Sequence, residues 1–307
     1  MERKRIVVIG SANTDMVVKS PQLPAPGETV LGGNFIMNPG GKGANQAVAA
    51  AKLDGKVTFI ANLGNDIFGR QAVEGYQKFG IDTSYIHHDD NTPSGVALIM
   101  VDDQGENSIS VALGANETLQ KTVIDKANEE LRTARFILLQ LEIPIQIVEH
   151  VVKTAKSFGT PVVLNPAPAQ YLSEELLASI HILTPNETEA EFLTGVNVQN
   201  EASARSAAKI LKEKGVEIVM ITMGAQGVYI LSNAVDQMVL SPKVKAVDTT
   251  AAGDTFNGAL LVGLTEGKSI LDAITFANQA AAYSVTKLGA QSSAPTRKDL
   301  NIFYDNQ

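Results

Sequence analysis

Short apolar runs that stop at polar or glycine residues recur along this chain. Ile6-Val7-Val8-Ile9 ends at Gly10 and meets Ser11-Ala12-Asn13-Thr14-Asp15, which predicts a buried strand followed by a polar loop. Met16-Val17-Val18 and Thr29-Val30-Leu31 flank Pro21, Pro24 and Pro26, and predict two short strands set apart from the main sheet and joined by a stiff loop. Val57–Ile60 is another strand, and Asn62-Leu63-Gly64-Asn65-Asp66 caps a helix over Ile67–Phe79. Val96–Val101 and Ser108–Val111 bracket Asp102-Asp103-Gln104-Gly105, a hairpin signal that suits an antiparallel accessory sheet. From residue 118 onward strands and helices alternate. A helix over 118–133 precedes the strand Phe136–Leu139, and a helix over 144–157 precedes Val162–Leu164. The strand Ile182–Leu183 follows, then a helix over 201–214 and the strand Ile218–Ile221. These strands end in Gln140-Leu141-Glu142, Asn165-Pro166, Thr184–Glu189 and Thr222–Gly227, so one polar edge gathers ligand-binding groups.

Two stretches carry the chemistry. In Asp248-Thr249-Thr250-Ala251-Ala252-Gly253-Asp254-Thr255-Phe256 two aspartates stand six residues apart, and the run Ala259–Leu264 continues as a helix. Ala251, Ala252 and Gly253 would then present free amides at a helix start, where the dipole favours an anion. Asp254 would sit in the first turn beside that anion, able to take a proton from a hydroxyl during phosphoryl transfer. An ordinary capped helix with a solvated Asp is the alternative. In the second stretch, Asn38-Pro39-Gly40-Gly41-Lys42-Gly43-Ala44-Asn45-Gln46, a glycine-rich turn opens an alanine-rich helix. It is no P-loop, because the spacing differs and Gly43 follows the lysine. Its glycines either bring backbone close to a ligand, with Lys42 and Asn45 as donors to hydroxyls, or make a packing turn.

Composition narrows the field. The 307 residues are 44% hydrophobic but only 5% aromatic, enough for an aliphatic core in one large α/β domain or two smaller ones. No linker or internal repeat breaks the chain. The formal net charge of −8, with no basic run, speaks against nucleic acid and against an anionic membrane surface. Cysteine is absent, which suits a cytoplasmic protein without disulfides or thiolate metal sites. His87-His88, running into Asp89-Asp90-Asn91, reads as a wet loop rather than a metal pair, and the N-terminal apolar run is too short for a signal peptide. Gly10 lacks the two following glycines of a dinucleotide fingerprint, which excludes a Rossmann oxidoreductase.

Taken in order, Asn13-Thr14-Asp15, Gly40–Ala47, Asn186 with Glu189, Thr222-x-Gly224-x-x-Gly227 and Asp248–Phe256 resemble the ribokinases of the PfkB-type carbohydrate kinase family over essentially the whole chain. The resemblance implies one domain over 1–307: a doubly wound, mostly parallel α/β sheet flanked by helices. A small β lid would form from segments near 12–20, 28–37, 93–101 and 107–113. It implies transfer of phosphate from ATP to the 5-hydroxyl of D-ribose. Asp254 resembles the base and the Ala251, Ala252 and Gly253 amides its anion hole. Asn13, Asp15, Gly41, Lys42, Gly43, Asn45 and Glu142 resemble the sugar-binding set, completed by Asp254. Asn186, Thr222, Gly224, Gly227, Gly253 and Asn278 resemble nucleotide contacts, and Glu189 the acidic residue that helps hold Mg2+ through water. Asp248, Thr250, Ser284, Lys287, Gly289 and Ser293 resemble a K+ site. A carboxylate at Asp248 near ATP phosphates needs such a positive partner, unless it only caps the helix. A kinase of another small sugar or nucleoside is the near alternative, and a sugar sensor without turnover the distant one. A lid sheet with one open face suits a homodimer.

Overall fold

The computed structural model describes residues 5–305; the charged opening residues Met1–Lys4, like Asn306 and Gln307, lie outside the described residues. Strands β1 (Arg5–Ile9), β2 (Asn13–Lys19) and β3 (Asn34–Gly40) precede helix α1 (Lys42–Lys52). Next come β4 (Lys56–Gly64), α2 (Ile67–Lys78), β5 (Asp82–Asp89), β6 (Gly95–Val101) and β7 (Asn107–Ala112), then a 3-10 turn at Gly114–Thr118, α3 (Lys121–Lys126) and α4 (Asn128–Thr133). The alternating half holds β8 (Phe136–Leu139), α5 (Ile145–Phe158), β9 (Val162–Leu164), α6 (Glu174–Leu177), β10 (Ile182–Leu183), α7 (Glu187–Thr194), α8 (Glu201–Glu213) and β11 (Ile218–Thr222). It closes with β12 (Val228–Leu231), β13 (Asp236–Val239), α9 (Ala252–Thr265), α10 (Ile270–Ser284) and α11 (Arg297–Asp305).

Nine strands form the main sheet in the order β13-β12-β11-β10-β9-β8-β1-β4-β5. Neighbours from β11 to β5 run parallel, and β12 and β13 are antiparallel additions at one edge. Both faces are covered, so the strands read as continuous apolar runs rather than alternating ones. The pleat divides each run between two cores. Val7, Ile9, Ile137 and Leu139 pack with Val148 and Val151 of α5. Ile6, Val8, Phe136 and Leu138 pack with Val48 of α1, Leu260 of α9 and Ile274 of α10. Each such side chain, buried completely, contributes about 1.5–3 kcal/mol. Strand order reverses between β1 and β8, and the crevice beyond the carboxyl ends of strands at such a reversal is where open α/β sheets hold ligands.

The smaller sheet has the order β3-β2-β6-β7. It is mixed rather than antiparallel, because β2 and β6 run side by side in parallel. The predicted strand Thr29–Leu31 is irregular, with Leu31 87% exposed. The strand that pairs with β2 is β3, in register from Asn13↔Gly40 to Lys19↔Asn34, and it includes Asn38-Pro39-Gly40, which the sequence suggested as turn. Proline is tolerated there because β3 is an edge strand. The predicted helix over 118–133 is broken at Ala127 into α3 and α4. His87 and His88 belong to β5 rather than a loop, with His87 Nδ1 2.7 Å from Asn62 Oδ1.

Candidate active site

Loops after β1 and β8 and the starts of α1 and α9 converge at the strand reversal. The glycine-rich turn packs closely, whatever else it contacts. Gly41 adopts φ 88° as the N-cap of α1, and a Cβ there would lie 2.7 Å from Ala12 Cα and Asn13 N. A Cβ on Gly43 would lie 2.6 Å from Ser11 N. These glycines therefore let the start of α1 press against the end of β1, which sets Lys42 and Asn45 beside the polar residues that follow β1. Glu142, just past β8, joins them: its Oε2 accepts from Lys42 N at 3.0 Å and from Ser11 Oγ. That contact places a carboxylate at the positive end of α1.

Asp254 lies in the first turn of α9, buried at 7% exposure. Asn45 Nδ2 donates to its Oδ2 at 3.0 Å and Gln46 Nε2 to its Oδ1 at 2.9 Å. Burial raises its pKa, opposed by the Lys42 charge and these amide donors, while the Glu142 charge raises it further. Asp15 is pushed up to about 6, first by burial and then by the charges of Glu142 and Asp254. Lys42 is held above the usual lysine range by Asp254, Glu142 and Glu189, despite its own burial. Asn45 Oδ1 is buried with no hydrogen-bond partner among the described residues, an acceptor without its donor.

The N-cap of α9 is Ala251, at φ 57° and ψ 18°. A left-handed alanine costs about 1–3 kcal/mol, and such strain collects at functional sites. The first α-helical bond runs from Thr255 N to Ala251 O, so the Gly253 and Asp254 amides precede any intrahelical acceptor. Ala252 N makes a long 3.3 Å bond to Thr249 O. A Cβ on Gly253 would meet nothing within 4 Å, so this helix start faces open space.

The expected nucleotide contacts fall in two groups. Asn186 and Thr222 sit side by side past β10 and β11, joined by an isolated bridge, with Gly224 just beyond. Asn186 caps α7, accepting from Glu189 N at 2.8 Å, while both Glu189 carboxylate oxygens accept from Asn186. Gly227 and Asn278 instead meet at the end of β13. A Cβ on Gly227 would lie 2.2 Å from Val239 O, and Asn278 Nδ2 donates to Val239 O at 3.1 Å. In the expected cation set, Asp248 Oδ1 accepts from Thr250 N at 2.9 Å and Oδ2 from Gly289 N at 2.8 Å. These donors hold its carboxyl below the usual range against burial. Val247 N and Asp248 N both donate to Val285 O, so the turn after α10 is tied to the loop before α9. The hydroxyls of Ser284 and Ser293 donate to Ala281 O and Ala290 O, both at 2.8 Å. The carbonyl of Ser284 accepts from Lys287 N at 3.0 Å, while Lys287's ammonium lies 5.7 Å from the Tyr283 ring centroid.

Ser11, Gln140, Asn165 and Asn116 lie at the candidate site outside the motifs, and Gln46 lies inside Gly40–Ala47 without a role assigned to it from the sequence. For Gln140 and Asn165 the signal was a polar residue directly after an apolar strand run, and for Ser11 one residue further on, past Gly10.

The profile of the pfkB family carbohydrate kinases matches residues 3–297. The chain belongs to this family. It is 48% identical to a ribokinase of Haemophilus influenzae over 304 residues, 99% of each protein. It is 39% identical to a deoxyribokinase of Salmonella typhimurium over 299 residues, 97% of this chain and 98% of that protein. A solved structure of Arabidopsis thaliana ribokinase complexed with ribose and ATP superposes with a TM-score of 0.91 at 36% identity, covering 98% of each chain. The doubly wound, mostly parallel sheet expected from the sequence is thereby shown.

Proposed function

We propose that this protein transfers the γ-phosphoryl group of ATP to the 5-hydroxyl of D-ribose, giving ribose 5-phosphate and ADP. The observation that carries the reading is a buried carboxylate, Asp254, in the first turn of an open helix start, beside an unpartnered acceptor at Asn45 Oδ1. Asp15 and Glu142 accept hydrogen bonds from sugar hydroxyls, and Lys42 and Asn13 donate them. Asp254 takes the proton of the attacking hydroxyl, while the amides at Ala251, Ala252 and Gly253 hold the charge on the moving phosphoryl group. Asn186, Thr222, Gly224, Gly227 and Asn278 line the nucleotide's path along the carboxyl edge.

Two ions fit the residues present. Glu189, with both oxygens already accepting from Asn186, suits a hydrated Mg2+ that neutralises the ATP phosphates. An ionised Asp248 drawn against the turn over Ser284–Gly289 offers oxygen donors to K+, with Thr250 and Ser293 near by in sequence, and would steady the loop that carries Ala251.

The small sheet is read as a lid, and the whole chain as one domain with that lid. The pairing register puts Asp15, Ala97 and Val111 on one face, which we read as the sugar side, and Phe35, Met37, Val18, Leu98 and Met100 on the other. That outer face is apolar and exposed, with Phe35 at 61% and Leu98 at 54%, and suits a second copy of this chain. Sedimentation of wild type and Leu98→Glu tests it: dimer and monomer are the expected results, and a monomeric wild type overturns it. ADP release with ribose, 2-deoxyribose, fructose and nucleosides tests the activity. Ribose is expected to give the highest kcat/KM, and a preference for 2-deoxyribose overturns the assignment of substrate.

A further inference from the structure

Asp254 does not stand alone in its pocket. Gln46, fully buried in α1, donates through Nε2 to Asp254 Oδ1 and also, at 3.0 Å, to Asn165 Oδ1 past β9. A neutral amide can face either way round, and the reversed Gln46 would aim a lone pair at both oxygens. What opposes reversal is Gln140, also fully buried, whose Nε2 donates to Gln46 Oε1 at 2.6 Å while its own Oε1 has no hydrogen-bond partner among the described residues. Gln140 is in turn wedged at the end of β1. A Cβ on Gly10 would lie 1.9 Å from Gln140 Oε1, so only glycine at residue 10 leaves space for that amide. The chain of donors has one direction, from Gln140 to Gln46 to Asp254, and Asn45 supplies the other carboxylate oxygen.

From this geometry we infer that Gln46 and Gln140 are positioning residues for phosphoryl transfer, a fixed amide relay that aims Asp254 and keeps it a hydrogen-bond acceptor. The inference rests on Asp254 being the base. Both carboxylate oxygens are tied in place, so the remaining lone pairs can face the sugar hydroxyl in one orientation only. Orientation matters at this scale, since misplacing a catalytic group by about 1 Å can cost about 100-fold. The relay also opposes what surrounds Asp254. Burial and the carboxylates of Glu142, Asp15 and Glu189 disfavour its ionised form, against the Lys42 cation and the amides of Asn45 and Gln46. Losing the Gln46 donor, or reversing it, removes a hydrogen bond that favours the ionised state.

Four variants test the relay: Gln140→Met, Gln140→Glu, Gln46→Met and, as reference, Asp254→Asn. Gln140→Met keeps the volume and frees Gln46 to reverse. Gln140→Glu, when ionised, draws the Gln46 amide toward itself and turns its carbonyl onto Asp254. Steady-state kinetics with ATP and ribose are read across pH, with ADP binding by calorimetry as the control for an intact fold. Expected are falls in kcat of about 10- to 100-fold with smaller changes in KM for ribose. The acid limb of the kcat profile should move to higher pH in the Gln46 variant and in Gln140→Glu. Variants that bind ADP normally and keep the wild-type kcat and acid limb overturn the relay. So does a loss carried wholly by KM. If one of the Gln variants fails to fold, the remaining ones decide on the same criteria. An Asp254→Asn protein of near wild-type kcat would instead overturn the base assignment itself, a different outcome from failure of the relay.

Discussion

At the carboxyl edge of the main sheet this chain presents the starts of three helices beside the end of α10, and at the amino edge it gathers the ends of α5, α6 and α8. The carboxyl edge holds the beginnings of α1, α7 and α9, with Glu142 and Asp254 set against the first and last of these. The amino edge has a cavity of about 850 Å3, lined by residues that precede β8, β9, β10 and β11 and by the ends of α5, α6 and α8. It contains Arg135, Lys156, Lys212 and His181, and by charge alone it would be the better place for a phosphate. The dipoles decide otherwise. Helix ends present carbonyls and partial negative charge, and the lysines there answer the protein itself. Lys156, in the last turn of α5, donates to Ser179 Oγ at 3.2 Å, and Lys212, in the last turn of α8, donates to Glu217 O at 2.7 Å. His181 Nδ1 lies 2.6 Å from Glu217 Oε2. An orphaned polar atom does not separate the two edges, since Thr160 Oγ1 in this cavity is as unpartnered among the described residues as Asn45 Oδ1; what separates them is open helix-start amides at one and helix-end carbonyls with their lysines at the other.

The sharpest test removes one carboxylate from the carboxyl edge. Asp254→Asn should lower kcat by about 10²–10⁴-fold, the range for loss of a general base, while ADP and ribose still bind. A variant with near wild-type turnover would mean that the helix start does the work without a base, and the contrast between the edges would rest on amides alone.

Asp15 gives the next largest effect. Asp15→Ala should weaken kcat/KM for ribose by about 1.5–3 kcal/mol, the value of hydrogen bonds to a charged group, with ADP affinity unchanged. Its pKa also fixes a pH dependence. The folded value, about 6, stands above the ordinary carboxylate value of 3.8, so the folded protein holds this proton more tightly than the unfolded chain. Ionising Asp15 thus disfavours the folded state increasingly as pH rises through that window, and Asp15→Asn should stabilise the ligand-free protein at pH 7–8 by about 1–3 kcal/mol. Ribose needs the ionised acceptor, so its KM should rise as pH falls through about 6. A flat KM from pH 5 to 8, measured in wild type, would place Asp15 away from the sugar.

What could be read without coordinates follows the same divide. Strand runs and the polar residues after them were legible, because full burial on both faces leaves an unbroken apolar signature in β1, β8, β9 and β11. The small sheet was legible in outline only. The exposed Leu31 sits in a proline- and glycine-bounded loop, and β3 carries Asn38-Pro39-Gly40, which locally reads as turn but is held by pairing with β2. In the site, charged and glycine residues announced themselves, whereas Gln46 and Gln140 were visible in position but not in role. A glutamine inside a core becomes meaningful only through which way its amide faces, and three-dimensional neighbours set that. The purpose of Gly41 and Gly43 was open for the same reason: the backbone they admit belongs to residues 10–13, far off in sequence and adjacent in space.

A monovalent cation sharpens the contrast further, because the loop that carries Ala251, Ala252 and Gly253 is anchored by Asp248. Activity in a buffer with only a bulky organic cation should rise about ten-fold on adding K+, the scale of ordinary coupling between sites, and much less on adding Na+. Asp248→Ala should remove most of that response. Full activity without any alkali cation would leave Asp248 as a loop tie alone, through Thr250 N and Gly289 N.

The smallest effect is expected at the amino edge, and it tests whether that edge is structural. Lys156 and Lys212 each sit one turn from a helix end, where a cation is worth about 0.3–1 kcal/mol at low ionic strength. Lys156→Gln and Lys212→Gln should each lower the unfolding free energy by that amount, and the loss should shrink in high salt as screening weakens the dipole term. Neither should change kcat or either KM, because no residue of this cavity belongs to the carboxyl edge. Stability left intact with a fall in kcat would reverse the assignment of the two edges. It would mean that these lysines hold something the reaction needs, and that the cavity rather than the helix ends explains their positions.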